Sequence, residues 1–253
     1  KEYNKMVQKL EESAAALAKT EREGAWREMA RQVAHEIKNP LTPMKLSIQY
    51  LQKAIYNNAP NVKELSANVA QTLVEQIDHL SRIASEFSQF ANIGNAKNEV
   101  FDLNTLLDSL VYLHDVQDRV SILWTPGAEP AIIEADKTQI NRLFTNLLQN
   151  AIEAIPEEET GTIVVQEHTN VSDGKVVGSI KYSGTGISAS TRTNIFTPNF
   201  TTKTSGTGLG LAICKGIVEQ ARGNLWFNTE EGKGSIFFVE LPLYHNGVES
   251  LST

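Results

Sequence analysis

His35-Glu36-Ile37-Lys38-Asn39-Pro40-Leu41-Thr42-Pro43 lies inside a longer stretch, Trp26 to Leu51, whose pattern decides the fold of the first part of the chain. Apolar residues recur at Trp26, Met29, Val33, Ile37, Leu41, Met44, Ile48, Leu51 and Ile55 in steps of three and four, the stripe of an amphipathic or coiled-coil helix. His35 lies off that stripe. Val33 and Ile37 face the core, so a residue midway between them points roughly the opposite way, with Lys38, Asn39 and Thr42 on its own side. An exposed neutral imidazole is a good nucleophile and a proton carrier, and the adjacent Glu36 could accept the proton that an attacking imidazole loses. Pro40 and Pro43 free the carbonyls of Glu36 and Asn39, which predicts a bend just after the histidine. A surface histidine on a proline-kinked helix is the alternative reading of this stretch taken alone.

Before it, Tyr3, Met6, Leu10 and Leu17 follow a heptad, with Ser13 and Thr20 at the intervening core positions and Gly24 loosening the pattern. After it, Asn57-Asn58-Ala59-Pro60-Asn61 is a turn signal, and Leu65, Val69, Leu73, Ile77, Leu80, Ala84, Phe87 and Phe90 form a second stripe of comparable length. Two long antiparallel helices with one apolar face each are completed most naturally as a dimeric four-helix bundle. A monomeric hairpin would leave too much apolar surface in water.

The periodicity lapses around Ile93-Gly94-Asn95-Ala96-Lys97-Asn98-Glu99, which divides the chain into an entering helix (1–25), a hairpin (26–93), a linker (94–100), a second domain (101–243) and a polar tail (244–253). In the second domain a helix is expected over Leu103 to His114, then strands near Val120 to Trp124 and Ala131 to Glu134, and a strong helix from Lys137 to Ile155. Strands over Thr162 to His168 and Val177 to Tyr182 flank a turn at Ser172-Asp173-Gly174. A polar stretch from Gly184 to Ser205 precedes a helix from about Leu209 to Ala221 and a closing hairpin, Leu225 to Asn228 with Ser235 to Leu241. Strands beside helices without strict β-α-β alternation predict an α/β sandwich with its helices on one face.

Bulk composition narrows the functional classes. The 253 residues are 41% hydrophobic and 21% charged, with a net charge of −7 that argues against a general nucleic-acid binder. Cys214 is the single cysteine, which excludes a disulfide framework and a cysteine-based metal cluster. No run of about 18 apolar residues crosses a membrane, and Lys1-Glu2-Tyr3-Asn4 has no signal-peptide pattern. Because the chain opens inside a helical pattern, it reads as a fragment of something longer.

Three pieces of the second domain point to a nucleotide. Asn146 and Asn150 share a helix face, where paired amides can bind a hydrated magnesium ion and phosphate oxygens, although asparagine pairs on helices are mostly solvated. Gly206-Thr207-Gly208-Leu209-Gly210-Leu211 opens a helix whose free amides suit a triphosphate. A dinucleotide fingerprint would need a strand directly before it, whereas the preceding Phe196-Thr197-Pro198-Asn199-Phe200-Thr201-Thr202-Lys203 is a polar loop with the profile of a lid. Lys203 could meet phosphate or stay a solvated loop lysine.

Taken together, these stretches resemble the cytoplasmic kinase core of a bacterial sensor histidine kinase over almost the whole chain. His35 to Pro40 resembles the phosphoacceptor box, Asn146 to Ala154 the asparagine box, and Gly184-Thr185-Gly186 the first glycine box. Phe196 to Phe200 resembles the phenylalanine box and Gly206 to Gly210 the second glycine box, all in the family's order. The run from His35 to Pro43 looks most like the nitrogen-regulation type. Tyr3-Asn4-Lys5-Met6-Val7 resembles the end of a HAMP signalling helix, which implies an inner-membrane sensor upstream and a cytoplasmic location for this part. The resemblance implies that His35 takes the γ-phosphate of ATP, that Glu36 is the general base, and that Asn39 orients water when a response regulator is dephosphorylated. It further implies that Asn150 coordinates Mg2+, that Asn146 contacts the nucleotide, and that Gly206, Gly208 and Gly210, with Thr207 and Leu209 between them, admit the phosphates. The phosphoryl group would pass to an aspartate of a response regulator receiver domain.

One departure stands out. The family's adenine-binding aspartate, two residues before the first glycine of that box, is here Tyr182, and Ser183 replaces the usual asparagine. Losing a charge-assisted hydrogen bond predicts roughly 10- to 100-fold weaker nucleotide binding. Arg222, before Gly223, stands where the family often has glycine. Two functions follow: an ATP-dependent autokinase with weakened nucleotide recognition, or a silenced signalling module that binds or dephosphorylates a regulator without ATP. A gyrase- or chaperone-type ATPase is disfavoured, since those relatives lack the histidine-bearing hairpin.

Overall fold

The computed structural model describes residues 30–31, 33–91, 96–115, 119–156, 158–198, 200–201 and 208–244. The heptad of the entering helix, Trp26, Met29, Lys203, Gly206, Thr207 and the tail beyond Tyr244 lie outside them. The chain divides between Gln89 and Phe90 into two compact units.

In the first unit, helix α1 (33–56) and helix α2 (Val62–Ala91) form the expected hairpin. The turn between them is a helix cap: Ala59 N–H donates to the Ala54 carbonyl at 2.9 Å, and Asn58 takes φ of 50°. That is a Schellman ending, with asparagine in the left-handed position that its short side chain tolerates, and Pro60 then blocks any continuation. Val33, Val69 and Ile83 are buried, whereas Leu41, Ile48, Ile55 and Ile77 stay 40 to 53% exposed. One hairpin leaves its apolar stripes partly open.

In the second unit the order is β1 (Glu99–Asp102), α3 (Leu103–His114), β2 (Val120–Thr125), β3 (Ile132–Ala135), α4 (Lys137–Glu153), β4 (Gly161–Asn170), β5 (Lys175–Tyr182), α5 (Gly210–Gln220), β6 (Asn224–Glu230) and β7 (Gly234–Pro242). A five-stranded sheet runs β2-β4-β5-β7-β6, with β2 parallel to β4 and the other neighbours antiparallel. Two-residue alternation along the strands buries Ile163, Val165, Val176, Ile180, Phe237 and Val239 on one face, which packs against α4 and α5. The other face carries Thr162, Gln166, His168 and Lys181 in exposed positions. This is the sandwich with helices on one side.

β1 departs from the sequence reading. Glu99 and Val100, read as the end of a linker, begin a strand that pairs antiparallel with β3 in a separate two-stranded sheet. Four residues show no resolvable period, and only the partner strand defines them. Asp102 then caps α3, accepting from Asn104 N at 3.0 Å and from Ala131 N at 3.1 Å. Asp136 does the same for α4, with Oδ1 accepting from Gln139 N at 3.0 Å and Oδ2 from Lys97 N at 2.8 Å.

The C-terminus of α5 explains Arg222. Gly223 N donates to the Val218 carbonyl at 2.8 Å, closing a Schellman turn that forces Arg222 to φ of 58°. A side chain held there costs about 1 kcal/mol more than glycine does. Arg222→Gly is therefore expected to raise the stability of this unit by about 1 kcal/mol, read as a higher denaturant midpoint at unchanged slope.

Candidate functional site

His35 is exposed on α1, one turn from the exposed Lys38 and Asn39, while Val33 and Pro40 are buried. The histidine thus faces away from the packed side, as the stripe requires, and Glu36 lies half-buried beside it. The helix is continuous through both prolines, and between them the Thr42 hydroxyl donates to the Lys38 carbonyl at 3.1 Å.

In the second unit α4 buries Ile140, Leu143, Phe144, Leu147, Leu148, Ala151 and Ile152 and leaves Asn146 and Asn150 half-buried, one turn apart. Asn146 is hydrogen-bonded to the Cys214 thiol of α5, which burial pushes up to about 12, so the sulfur is a neutral packing group. Its Sγ also lies 3.7 Å from the Leu143 carbonyl.

The segment after β5 is held between two elements by the missing side chains of its glycines. A Cβ at Gly184 would collide with the Ala154 carbonyl at the end of α4, and one at Gly186, whose φ is 67°, with the Glu230 carbonyl of β6. Gly232 N donates to the Thr185 carbonyl at 2.8 Å, tying the segment to the β6–β7 turn. Of the second glycine run, Gly208 has φ of 66°, Leu209 is buried, and Gly210 begins α5 with open space at its Cβ position. The amides of the first turn of α5 thus start at the glycines, the arrangement that binds phosphate oxygens.

Tyr182 ends β5 on the buried face and is 6% exposed. Its ring stacks on Phe237 at 6.4 Å between centroids, and its hydroxyl is bonded to the Ser235 side chain. Burial holds the phenol above its ordinary range, so it is neutral. Phe196 meets Phe237 and Phe227 edge-on at 6.5 and 5.8 Å, which anchors the start of the lid-like loop on the same aromatic cluster. Ser235 and Thr229, which touch Tyr182 directly and through one intermediary, were not among the residues expected from sequence. Ser235 is the register partner of Tyr182 across β5 and β7, and only the pairing of those strands reveals it.

Residues 25–96 match the His Kinase A (phospho-acceptor) domain, and residues 135–245 match the Histidine kinase-, DNA gyrase B-, and HSP90-like ATPase family. The chain is 32% identical to nitrogen regulation protein NtrY of Azorhizobium caulinodans, over 94% of this chain and 31% of that one. It is 35% identical to sensor histidine kinase ZraS of Klebsiella oxytoca, over 95% of this chain and 50% of that one. It therefore spans half or less of the length of these relatives. Among solved structures, histidine kinase ThkA in complex with response regulator protein TrrA superposes with a TM-score of 0.70 at 28% identity, covering 89% of this chain and 64% of that one. With a phosphoacceptor hairpin followed by this ATPase sheet, in the order and over the length that its relatives share, the chain belongs to the sensor histidine kinases and carries their kinase core.

Proposed function

We propose that this core is an ATP-dependent autokinase of a two-component system and phosphorylates His35. The observation that carries the reading is the exposed His35 on the unpacked side of α1, in a chain whose second unit has an ATPase fold. The unprotonated imidazole nitrogen attacks the γ-phosphorus. The bond from that phosphorus to the β–γ bridging oxygen breaks and ADP leaves, while the proton on the other ring nitrogen passes to Glu36. The phosphoryl group then goes to an aspartate carboxylate of a response regulator. Asn39 orients water for the reverse, phosphatase activity.

Asn150 offers a hard amide oxygen of the kind magnesium takes, and the half-buried end of α4 suits that ligand. Magnesium, when bound, neutralises charge between the β- and γ-phosphates. Asn146, Lys203 and the segments Gly184 to Gly186 and Gly206 to Gly210 serve the nucleotide. The open stripes of α1 and α2 are covered by a second copy in a four-helix dimer, and a membrane sensor acts upstream.

Tyr182 faces the adenine, and its neutral phenol replaces a carboxylate there. Tyr182→Asp is expected to tighten ATP binding roughly 10- to 100-fold, measured by calorimetry with magnesium while labelled γ-phosphate on His35 is followed in parallel. Burial of Tyr182 and its engaged hydroxyl support the second reading, a module silenced at the nucleotide site that still binds or dephosphorylates a regulator. No binding at millimolar ATP, restored by Tyr182→Asp, would select that reading. Binding with His35 labelling in the unmodified chain selects the autokinase.

A further inference from the structure

The turn that joins β6 to β7 grips the glycine segment after β5 at successive residues. Ile187 N donates to Thr229 Oγ1 at 2.9 Å, across 42 positions of sequence. Gly232 N donates to the Thr185 carbonyl at 2.8 Å. Between these bonds Gly186 packs against the Glu230 carbonyl, and a Cβ on Gly234 would collide with the Tyr182 carbonyl. The turn is itself closed, since the Thr229 hydroxyl donates to the Gly234 carbonyl at 3.1 Å and Lys233 N to the Glu230 carbonyl at 3.0 Å. Of the contacts between turn and segment, that of Thr229 alone runs through a side chain.

We infer that Thr229 is a positioning residue of the nucleotide site: its hydroxyl oxygen fixes the Ile187 amide, and with it the far end of the Gly184 to Gly186 segment. The inference rests on the reading of that segment as serving the nucleotide. Thr229 touches no reacting atom. Its acceptor role does not depend on where its own proton turns, because a backbone N–H only donates. Glycines let the segment approach a ligand closely, but they lose more conformational freedom on ordering than other residues do. A segment pinned at both ends binds without that ordering cost. Strand pairing of Tyr182 with Ser235 supplies one pin, and Thr229 supplies the other. Valine at position 229 keeps the branched shape that suits a strand and removes the acceptor of the half-buried Ile187.

The test combines hydrogen exchange read at the Ile187 amide with calorimetric titration of ATP and magnesium, on the full chain and on two variants. The unmodified chain is expected to protect that amide, and ATP with magnesium to slow exchange further over residues 184–187. In Thr229→Val the amide exchanges about fivefold faster and the ATP dissociation constant rises on the order of fivefold. Labelling of His35 at saturating ATP stays within about twofold, since only uniform binding is lost. Thr229→Ser returns the acceptor and restores both exchange and affinity. Equal weakening by Thr229→Val and Thr229→Ser assigns the effect to packing and overturns the inference. Faster exchange in Thr229→Val with ATP affinity unchanged also overturns it, and leaves the nucleotide role of the segment standing. If ATP with magnesium does not slow exchange over residues 184–187 of the unmodified chain, the nucleotide reading of the segment fails and the role of Thr229 fails with it.

Discussion

Replacing His35 with glutamine is expected to abolish transfer of labelled γ-phosphate to the chain, a loss of at least on the order of a thousandfold, while nucleotide binding to the second unit is unchanged. Glutamine has nearly the length of histidine and makes similar hydrogen bonds, but its amide has no basic nitrogen to attack phosphorus. His35 is exposed on the side of α1 away from Val33 and Pro40, so its replacement disturbs no packing and changes stability by roughly 0.5 kcal/mol or less. The check is a filter assay with acid and alkali washes, since a phosphoryl group on imidazole survives alkali and is lost in acid. Label retained in His35→Gln with the same acid lability would assign the acceptor to another histidine, and the half-buried His79 of α2 would be examined next.

Phe144→Ala is expected to destabilise the second unit by about 3–5 kcal/mol, a large part of the roughly 5–15 kcal/mol that a domain has in total. Phe144 has no exposed surface, and its ring lies where a side chain on Gly178 of β5 would have to go, at 3.0 Å from the Cβ position. Helix and sheet approach closely there because a glycine faces an aromatic ring. Removing the ring leaves a cavity between two rigid layers that cannot close over it. Calorimetry should show the transition of the ATPase unit lowered by roughly 6–20 °C, with the hairpin's helical signal keeping its own transition. A shift below about 2 °C would mean that α4 relaxes onto the sheet, and the close approach at Gly178 would then not be what holds it.

The hairpin was legible because its apolar residues recur at helical spacing over many turns, and the off-stripe position of His35 survives folding unchanged. α3 has the bounds expected of it, Leu103 to His114. The long strands were legible for the same reason: residues from Thr162 to His168 alternate, and β4 extends that run only to Gly161 and Asn170. β1 was not, because four residues do not define a period and its identity comes from a partner more than thirty positions away, with Glu99 opposite Ala135. The surroundings of Tyr182 were hidden for a related reason. A sequence shows that tyrosine stands before Gly184, but the serine opposite it is specified by strand register, which is a property of the sheet as a whole.

The two oxygens of the Asp136 carboxylate have a mechanical consequence. One secures the opening turn of α4 and the other secures Lys97, so a single side chain joins the segment that enters the domain to the helix that bears Asn146 and Asn150. Tension on residues 96–98 is thus delivered to the first turn of that helix through one carboxylate.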